Sequence, residues 1–309
     1  MERVRYTVSE TLVADCRLDV YISQHLELFS RSQLKLRVVK VLVDGKISKL
    51  SKRLQGGEAL DIFYNPAPSL AAEPEDIELD IIYEDANVIV VNKPQGMVVH
   101  PARGNYSGTL VNALLFHLKE LGDMFTGDVI RPGIVHRLDK DTSGVIISAK
   151  NPETHESLAL QFRKRLARKV YLGFVKGALP DSEGRIETGL RRDPRNRKRF
   201  SCSRRGGKKA VTAYKVLRAF PGYSLVALKP LTGRTHQLRV HTSYLRCPVL
   251  GDPIYSRRDK RFPDVAMMLH AYRLKVAIPS GARGGDSRDM LFRAPLPLRF
   301  KQLLREVAG

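Results

Sequence analysis

Apolar residues recur along this chain at two different spacings, and the spacing changes from segment to segment. Leu18, Val20, Tyr21, Ile22 and Leu26 follow a helical repeat and predict an amphipathic helix. A second helix is expected behind Ser30 or Ser32 as N-cap, with Leu34, Leu36, Val38 and Val39 turned inward. Val41 and Val43, the Asp44-Gly45 pair and Ile47 read as strand, turn and strand, and Ala59 to Phe63 as one further short strand. The segment that follows holds Pro66, Pro68 and Pro74 and supports no regular element. The expected organisation is a small α/β module over residues 1–64, a linker over 65–77 and a large domain over 78–309.

In the larger part, Ile81-Ile82-Tyr83, Val88 to Val91, Val145 to Ile147, Val170 to Val175, Val211 to Val216 and Tyr223 to Leu228 are strand-like runs. Helical repeats cover Leu110 to Leu121, His155 to Leu166 and Gln237 to Leu245. Several successive strands are joined by connections shorter than the dozen or so residues that a parallel crossover needs. The expected fold class is therefore α+β: a mixed, mainly antiparallel central sheet with flanking helices, rather than a doubly wound parallel sheet.

Charge adds a partner to this picture. The 309 residues carry 53 Lys+Arg against 32 Asp+Glu, a net charge of +21, which points to a polyanion and first to nucleic acid. The excess is segmental: residues 161–215 hold 18 Lys or Arg and 4 acids, whereas residues 73–85 hold seven acids and no base. A surface that served solubility alone would mix the signs evenly. Cys16, Cys202 and Cys247 stand far apart, without the spacing of a zinc or redox motif, and fit a reduced, cytoplasmic protein. The opening MERVRYTVSE lacks the apolar stretch of a signal peptide, and no apolar run approaches the roughly 18 residues of a membrane span. Neither a phosphate loop nor a dinucleotide fingerprint occurs, and His236 and His241 lack the glutamate of a zinc-protease helix. No metal and no organic cofactor is expected.

Two clusters are dense enough for chemistry. His136-Arg137-Leu138-Asp139-Lys140-Asp141-Thr142-Ser143-Gly144 runs directly into the apolar Val145-Ile146-Ile147. A capped turn with solvated charges explains it as well as a poised carboxylate does, so the residues alone leave both open. In Gly233-Arg234-Thr235-His236-Gln237-Leu238-Arg239-Val240-His241, Gly233 suggests a tight turn and Thr235 an N-cap that would set Arg234 at a helix mouth. Arg234 could then grip a carboxylate or phosphate in two-pronged fashion, while Arg239 and His241 read as the basic face of a surface helix. Arg168-Lys169-Val170-Tyr171 sets an aromatic among cations, as a base-stacking platform does.

Taken in order, these segments resemble the RluA-type pseudouridine synthases. The likeness rests on His136 to Gly144, accompanied by Val91-Asn92-Lys93-Pro94 with Gly96 to Pro101, Lys169 with Tyr171, Gly233 to Arg239, and Leu269-His270-Ala271, and covers about residues 78–300. The first module is similar to the small RNA-binding domain these enzymes share with a ribosomal small-subunit protein, through Arg17-Leu18-Asp19, Ser30 to Gln33 and Val43 to Lys46. Asp44 stands where that pattern commonly has Asn, and Gly57-Glu58 where it has Gly-Asp. The basic tract from Arg191 to Lys209 is similar to the subgroup that modifies a large-subunit ribosomal stem-loop.

The resemblance implies the pseudouridine synthase fold and isomerisation of uridine in ribosomal RNA, with Asp139 as catalytic carboxylate. It further implies that Arg234 pairs with Asp139, that Tyr171 lies against the base and takes the carbon-five proton, and that Leu269 closes the apolar wall. Arg137 would fill the gap left by the extruded base. Arg17, Arg31, Lys35 and Lys46 are the candidate RNA contacts of the first module, and a monomer is expected. A synthase acting on transfer RNA or another ribosomal site, and a catalytically silent RNA chaperone or ribosome assembly factor, are the alternatives.

Overall fold

The computed structural model describes residues 1–10, 16–26, 28–29, 34, 37–65, 72–102, 104–119, 133–203, 206–279 and 287–308. The chain divides into two compact units, Met1–Leu70 and Ala71–Gly309. In the first, β1 (Glu2–Thr7), β3 (Val38–Val43), β4 (Lys46–Ser48) and β6 (Ala59–Tyr64) form a sheet in the order β1-β6-β3-β4, while β2 (Cys16–Arg17) pairs with β5 (Arg53–Leu54). The hairpin turn falls on Asp44 and Gly45, both left-handed (φ 51° and 77°), and the Asp44 carboxylate accepts from the Ala59 amide at 2.8 Å. Leu18, Tyr21 and Ile22, from a short helix that continues as a π-turn over Tyr21–His25, pack with Leu34, Val41, Leu54, Leu60 and Ile62. Val38 and Val39 do not lie on a helix. They open β3, where their branched β-carbons favour extended backbone, and Val39 is 54% exposed. The expected caps Ser30 and Ser32, with Leu36, lie outside the described residues, as does Leu121.

The second unit is built on a ten-stranded sheet. Its strands are β7 (Ile81–Glu84), β8 (Val88–Lys93), β9 (Ser143–Ala149), β10 (Arg168–Lys176), β11 (Glu183–Arg192), β12 (Phe200–Ser203), β13 (Lys208–Phe220), β14 (Tyr223–Pro230), β15 (Leu269–Pro279) and β16 (Ser287–Arg293). Their order is β12-β11-β13-β14-β10-β15-β9-β8-β7, with β16 beside β15. Every described pairing is antiparallel except β9 with β15. The α+β architecture expected from the sequence is thus the one observed. Helix Pro152–Lys164 covers β9 and β15; it is capped by the Asn151 side chain, starts on Pro152 and ends on left-handed Arg165. All seven residues of β9 are buried, which explains an apolar run where a half-exposed strand would alternate. Among the described residues no helix is long and apolar enough to cross a membrane.

The parallel contact of β9 with β15 sets the approach to Asp139 and depends on Gly144. Its φ is +116°, and a β-carbon there would stand 2.3 Å from the Ala271 carbonyl oxygen. Gly144→Ala is expected to destabilise the fold by roughly 3–5 kcal/mol, because the obstacle is backbone and not a movable side chain. Gly222→Ala, at φ +77° with nothing within 4 Å, isolates the cost of the backbone angle, about 1 kcal/mol. Similar thermal midpoints for the two variants would discard this account.

Candidate active site

Asp139 sits in the loop that enters β9, and the peptide carbonyls of Asp139, Lys140 and Asp141 are each engaged. The Thr142 amide donates to the Asp139 carbonyl at 3.1 Å, and the Gly96 amide to that of Lys140 at 2.9 Å. Gln95 donates to the Asp141 carbonyl at 3.0 Å. Lys93, wholly buried, aims its ammonium at three carbonyls, of Pro94 at 2.8 Å, Met97 at 2.7 Å and Lys140 at 3.2 Å. Burial pushes this ammonium down to about 7, against the pull of Asp141 and Asp139. Lys93 therefore acts as a tether between the end of β8 and the Asp139 loop, which gives the Asn-Lys-Pro segment a mechanical role.

The cation that meets Asp139 is Arg239, whose Nη1 donates to Asp139 Oδ2 at 3.1 Å. The other edge of the same guanidinium grips Asp252 in two-pronged fashion, at 2.6 and 2.9 Å. Arg239 is 3% exposed and the Asp252 side chain 0%. Burial opposes the charge on Arg239, but the two carboxylates outweigh it and hold the guanidinium above its ordinary range. Two expectations are corrected here. Arg234 does not pair with Asp139; its Nε donates to the Lys209 carbonyl at 3.2 Å. Arg239 and His241 are not a surface face, because the helix Gln237–Tyr244 buries every residue from Gln237 to Thr242.

Thr235 does not cap that helix. The cap position is His236, left-handed at φ 56° with no side-chain cap bond. The turn is held by the buried Gln237 amide instead. Its oxygen accepts from Thr232 at 2.6 Å and from the Arg234 amide at 3.1 Å, and its nitrogen donates to the Val211 carbonyl at 2.9 Å and to Thr212 at 3.0 Å. Full satisfaction of a buried amide makes the turn rigid and pins it to β13. His236 Nδ1 lies 2.9 Å from the Tyr255 hydroxyl, which accepts from the Phe200 amide at 2.8 Å and so has its own proton to give. That assigns the His236 proton to Nε2, the nitrogen 3.9 Å from Asp139.

Three further histidines use a ring nitrogen as acceptor inside the fold. His136 Nε2 receives the Ile147 amide at 3.1 Å, His241 Nδ1 the Thr212 hydroxyl at 2.9 Å, and His270 Nδ1 the Ser143 hydroxyl at 2.9 Å. Burial lowers them to about 3, 4 and 4 respectively. Between those values and about 6.5 the unfolded chain binds protons that the fold refuses, so stability is complete above pH 6.5 and is lost on acidification. The expected slope near pH 5 approaches about 4 kcal/mol per pH unit for three sites. Unfolding free energies measured in urea between pH 7 and 4.5 test this, and a flat profile would refute it.

Asp139, Arg137, Tyr171, Arg234 and Leu269 all line one cleft of about 650 Å³, open mouth included, together with Lys169 and His236. Tyr171 comes from β10, Leu269 from the start of β15, and both are buried. Burial, then the neighbouring Asp139 charge, raises the Tyr171 phenol far above its ordinary range, so it is protonated at neutral pH. Burial lowers the Lys169 ammonium. In the first unit, Arg17 is paired with Asp19 at 3.0 and 3.1 Å and Lys46 is exposed in β4. Arg31 and Lys35 lie outside the described residues.

Residues 87–244, which carry nearly all of this cleft, match the family model described as RNA pseudouridylate synthase. The chain belongs to that family. It is 46% identical over 301 residues to a ribosomal large subunit pseudouridine synthase D of Borreliella burgdorferi, covering 96% of this chain and 90% of the relative. An uncharacterised RNA pseudouridine synthase of Bacillus subtilis is 38% identical, with 99% of each chain covered. Among solved structures, the human RNA pseudouridylate synthase domain containing 4 is similar at a TM-score of 0.57 and 27% identity, over 74% of this chain and 92% of that one. Sequence reasoning passed over Arg239, which lines this synthase's cleft, and its buried anchor Asp252. Residue type and spacing give no signal for either: Gln237, Arg239 and His241 alternate with Leu238 and Val240, and Asp252 lies thirteen positions from its partner.

Proposed function

We propose that the protein converts specific uridines of large-subunit ribosomal RNA to pseudouridine, with Asp139 as the catalytic carboxylate. One observation carries the reading: Asp139 Oδ2 is held 3.1 Å from a buried guanidinium, in a cleft shared with Tyr171 and Leu269. The names of the D-type relatives support the ribosomal target. The reaction breaks the bond from N1 to C1′, turns the uracil and joins C5 to C1′; the proton lost from C5 is matched by one gained at N1. Asp139 acts either by attacking C1′ as uracil departs or by taking the proton from C2′. A primary isotope effect with uridine deuterated at C2′ separates the two routes.

Tyr171 meets the base as a neutral phenol. It can take the C5 proton only after giving its own to the uracil, which gains one at N1; if Asp139 becomes an ester, its negative charge no longer opposes the phenolate that this exchange leaves. The extruded base costs a few kcal/mol of unstacking, and Arg137, exposed at the cleft rim, fills the gap it leaves. The three well-separated cysteines fit a cytoplasmic protein, and action as a monomer is part of the same reading.

Residues 1–64 supply a further RNA contact through Lys46 and Arg17, the latter once released from Asp19. Lys46→Gln with Arg17→Gln is expected to weaken binding of the substrate transcript a few-fold and to flatten its salt dependence by about 1 to 2; unchanged affinity and slope would remove the module from substrate binding. For the reaction itself, purified protein is incubated with large-subunit transcript and the pseudouridines are mapped by chemical labelling read by sequencing, alongside RNA from cells lacking the gene. RNA binding without conversion would instead identify a silent RNA chaperone.

A further inference from the structure

The Asp139 cleft shares lining residues with two other cavities. One is a groove of about 2270 Å³, open mouth included, in which eight lining side chains are Arg or Lys and none is acidic. Arg163 and Arg165 reach it from the end of helix Pro152–Lys164, where Arg165 takes a left-handed φ of 62° as the cap, and Arg168 reaches it from the first residue of β10. The other is a groove lined by Arg191, Arg192 and Lys208 around Phe200, again without an acid. Both grooves share Gly233 and Arg234 with the Asp139 cleft.

Like charges held this close repel one another, and elsewhere this protein compensates them. Lys209 and Arg185 pair with Glu187, and Lys176 with Asp259. Arg163, Arg165, Arg168, Arg191 and Lys208 are exposed, and none makes an ion pair among the described residues. The Nε of Arg273, buried in the first groove's wall, has no hydrogen-bond partner among them either. Two uncompensated cation clusters, each in a groove that adjoins a reaction cleft, suit a polyanion that passes through it. With a single guanidinium common to all three spaces, the two clusters meet different stretches of that polymer.

We propose that the substrate strand crosses the cleft from one groove to the other. Phosphates on one side of the target uridine are held by Arg163, Arg165 and Arg168, those on the other side by Arg191 and Lys208, with Arg234 between them. The proposal rests on the isomerase reading and deepens it: the enzyme requires RNA to continue on both sides of the uridine, and each flank is read by its own cluster.

The test uses the full chain and a transcript on which the wild type converts a uridine, together with versions shortened on the 5′ or the 3′ side of that uridine. Arg163→Gln/Arg165→Gln/Arg168→Gln is expected to raise KM on the order of tenfold with kcat within about twofold, and to lower the salt slope by about 2. Arg191→Gln/Lys208→Gln is expected to act in the same direction with a slope change of about 1.4. Shortening one flank should erase the defect of one variant alone, and shortening the other flank that of the second. Thermal midpoints are expected to match the wild type, since all five side chains are exposed and unpaired. The path is overturned if one truncation erases both defects. It is equally overturned if neither variant changes KM or slope while the wild type converts, the result for surfaces that serve an acidic protein or solvent alone. A wild type that converts no uridine sinks the isomerase reading itself.

Discussion

Asp139→Asn is expected to abolish isomerisation, by on the order of 10⁴-fold or more, while leaving the fold and RNA binding in place. Asparagine keeps an oxygen that can accept from Arg239 Nη1, so the 3.1 Å contact survives in weakened form. The peptide carbonyls that frame the loop are held by Thr142, Gly96, Gln95 and Lys93, none of which touches the substituted atoms. What disappears is the negative oxygen that either attacks C1′ or takes a proton from C2′. Single-turnover conversion and RNA affinity, measured on the same preparation, decide the matter. Loss of binding together with conversion would mean that Asp139 organises the site rather than acting in the reaction.

The second large effect belongs to Arg239, which lies between two carboxylates. Arg239→Met is expected to cost about 3–5 kcal/mol of stability, because Asp252 is left as a buried charge without its counterion. It should also cost on the order of 10²-fold or more in activity, since Asp139 loses the donor that aims it. These two losses are separable. Asp252 also accepts the Ile254 amide at 2.8 Å and the Tyr255 amide at 3.0 Å, bonds that an asparagine oxygen at this position can keep. Arg239→Met/Asp252→Asn should therefore recover much of the thermal midpoint and none of the activity. Recovery of both would reduce Arg239 to a packing element.

The family and the class of fold were legible in the sequence, and the candidate carboxylate could be named there, because each is written in short, contiguous signals. Apolar runs such as Val88 to Val91 and Val145 to Ile147 announce strands, the Asp44-Gly45 pair announces a hairpin, and His136 to Gly144 is a nine-residue signature. Local preference misled where two elements abut: Val38 and Val39 continue the helical repeat of the residues before them, but their branched side chains and the partner strand β6 draw them into a sheet.

Tertiary structure alone decided which arginine serves Asp139. Arg234 and Arg239 stand five residues apart in one motif, and both are suitable donors by residue type. The choice was made by the left-handed turn at His236 and the buried Gln237 amide, which carry Arg234 out to the rim and start a helix that points Arg239 inward. It was completed by Asp252, thirteen positions further on, whose two bonds to Arg239 fix the guanidinium in the plane that meets Asp139. Residue type and spacing specify what each side chain is able to do. Which of two equivalent cations is buried, and against which carboxylate, depends on packing between segments that are distant in the chain, and that information exists only once the sheet and its helices have closed around them.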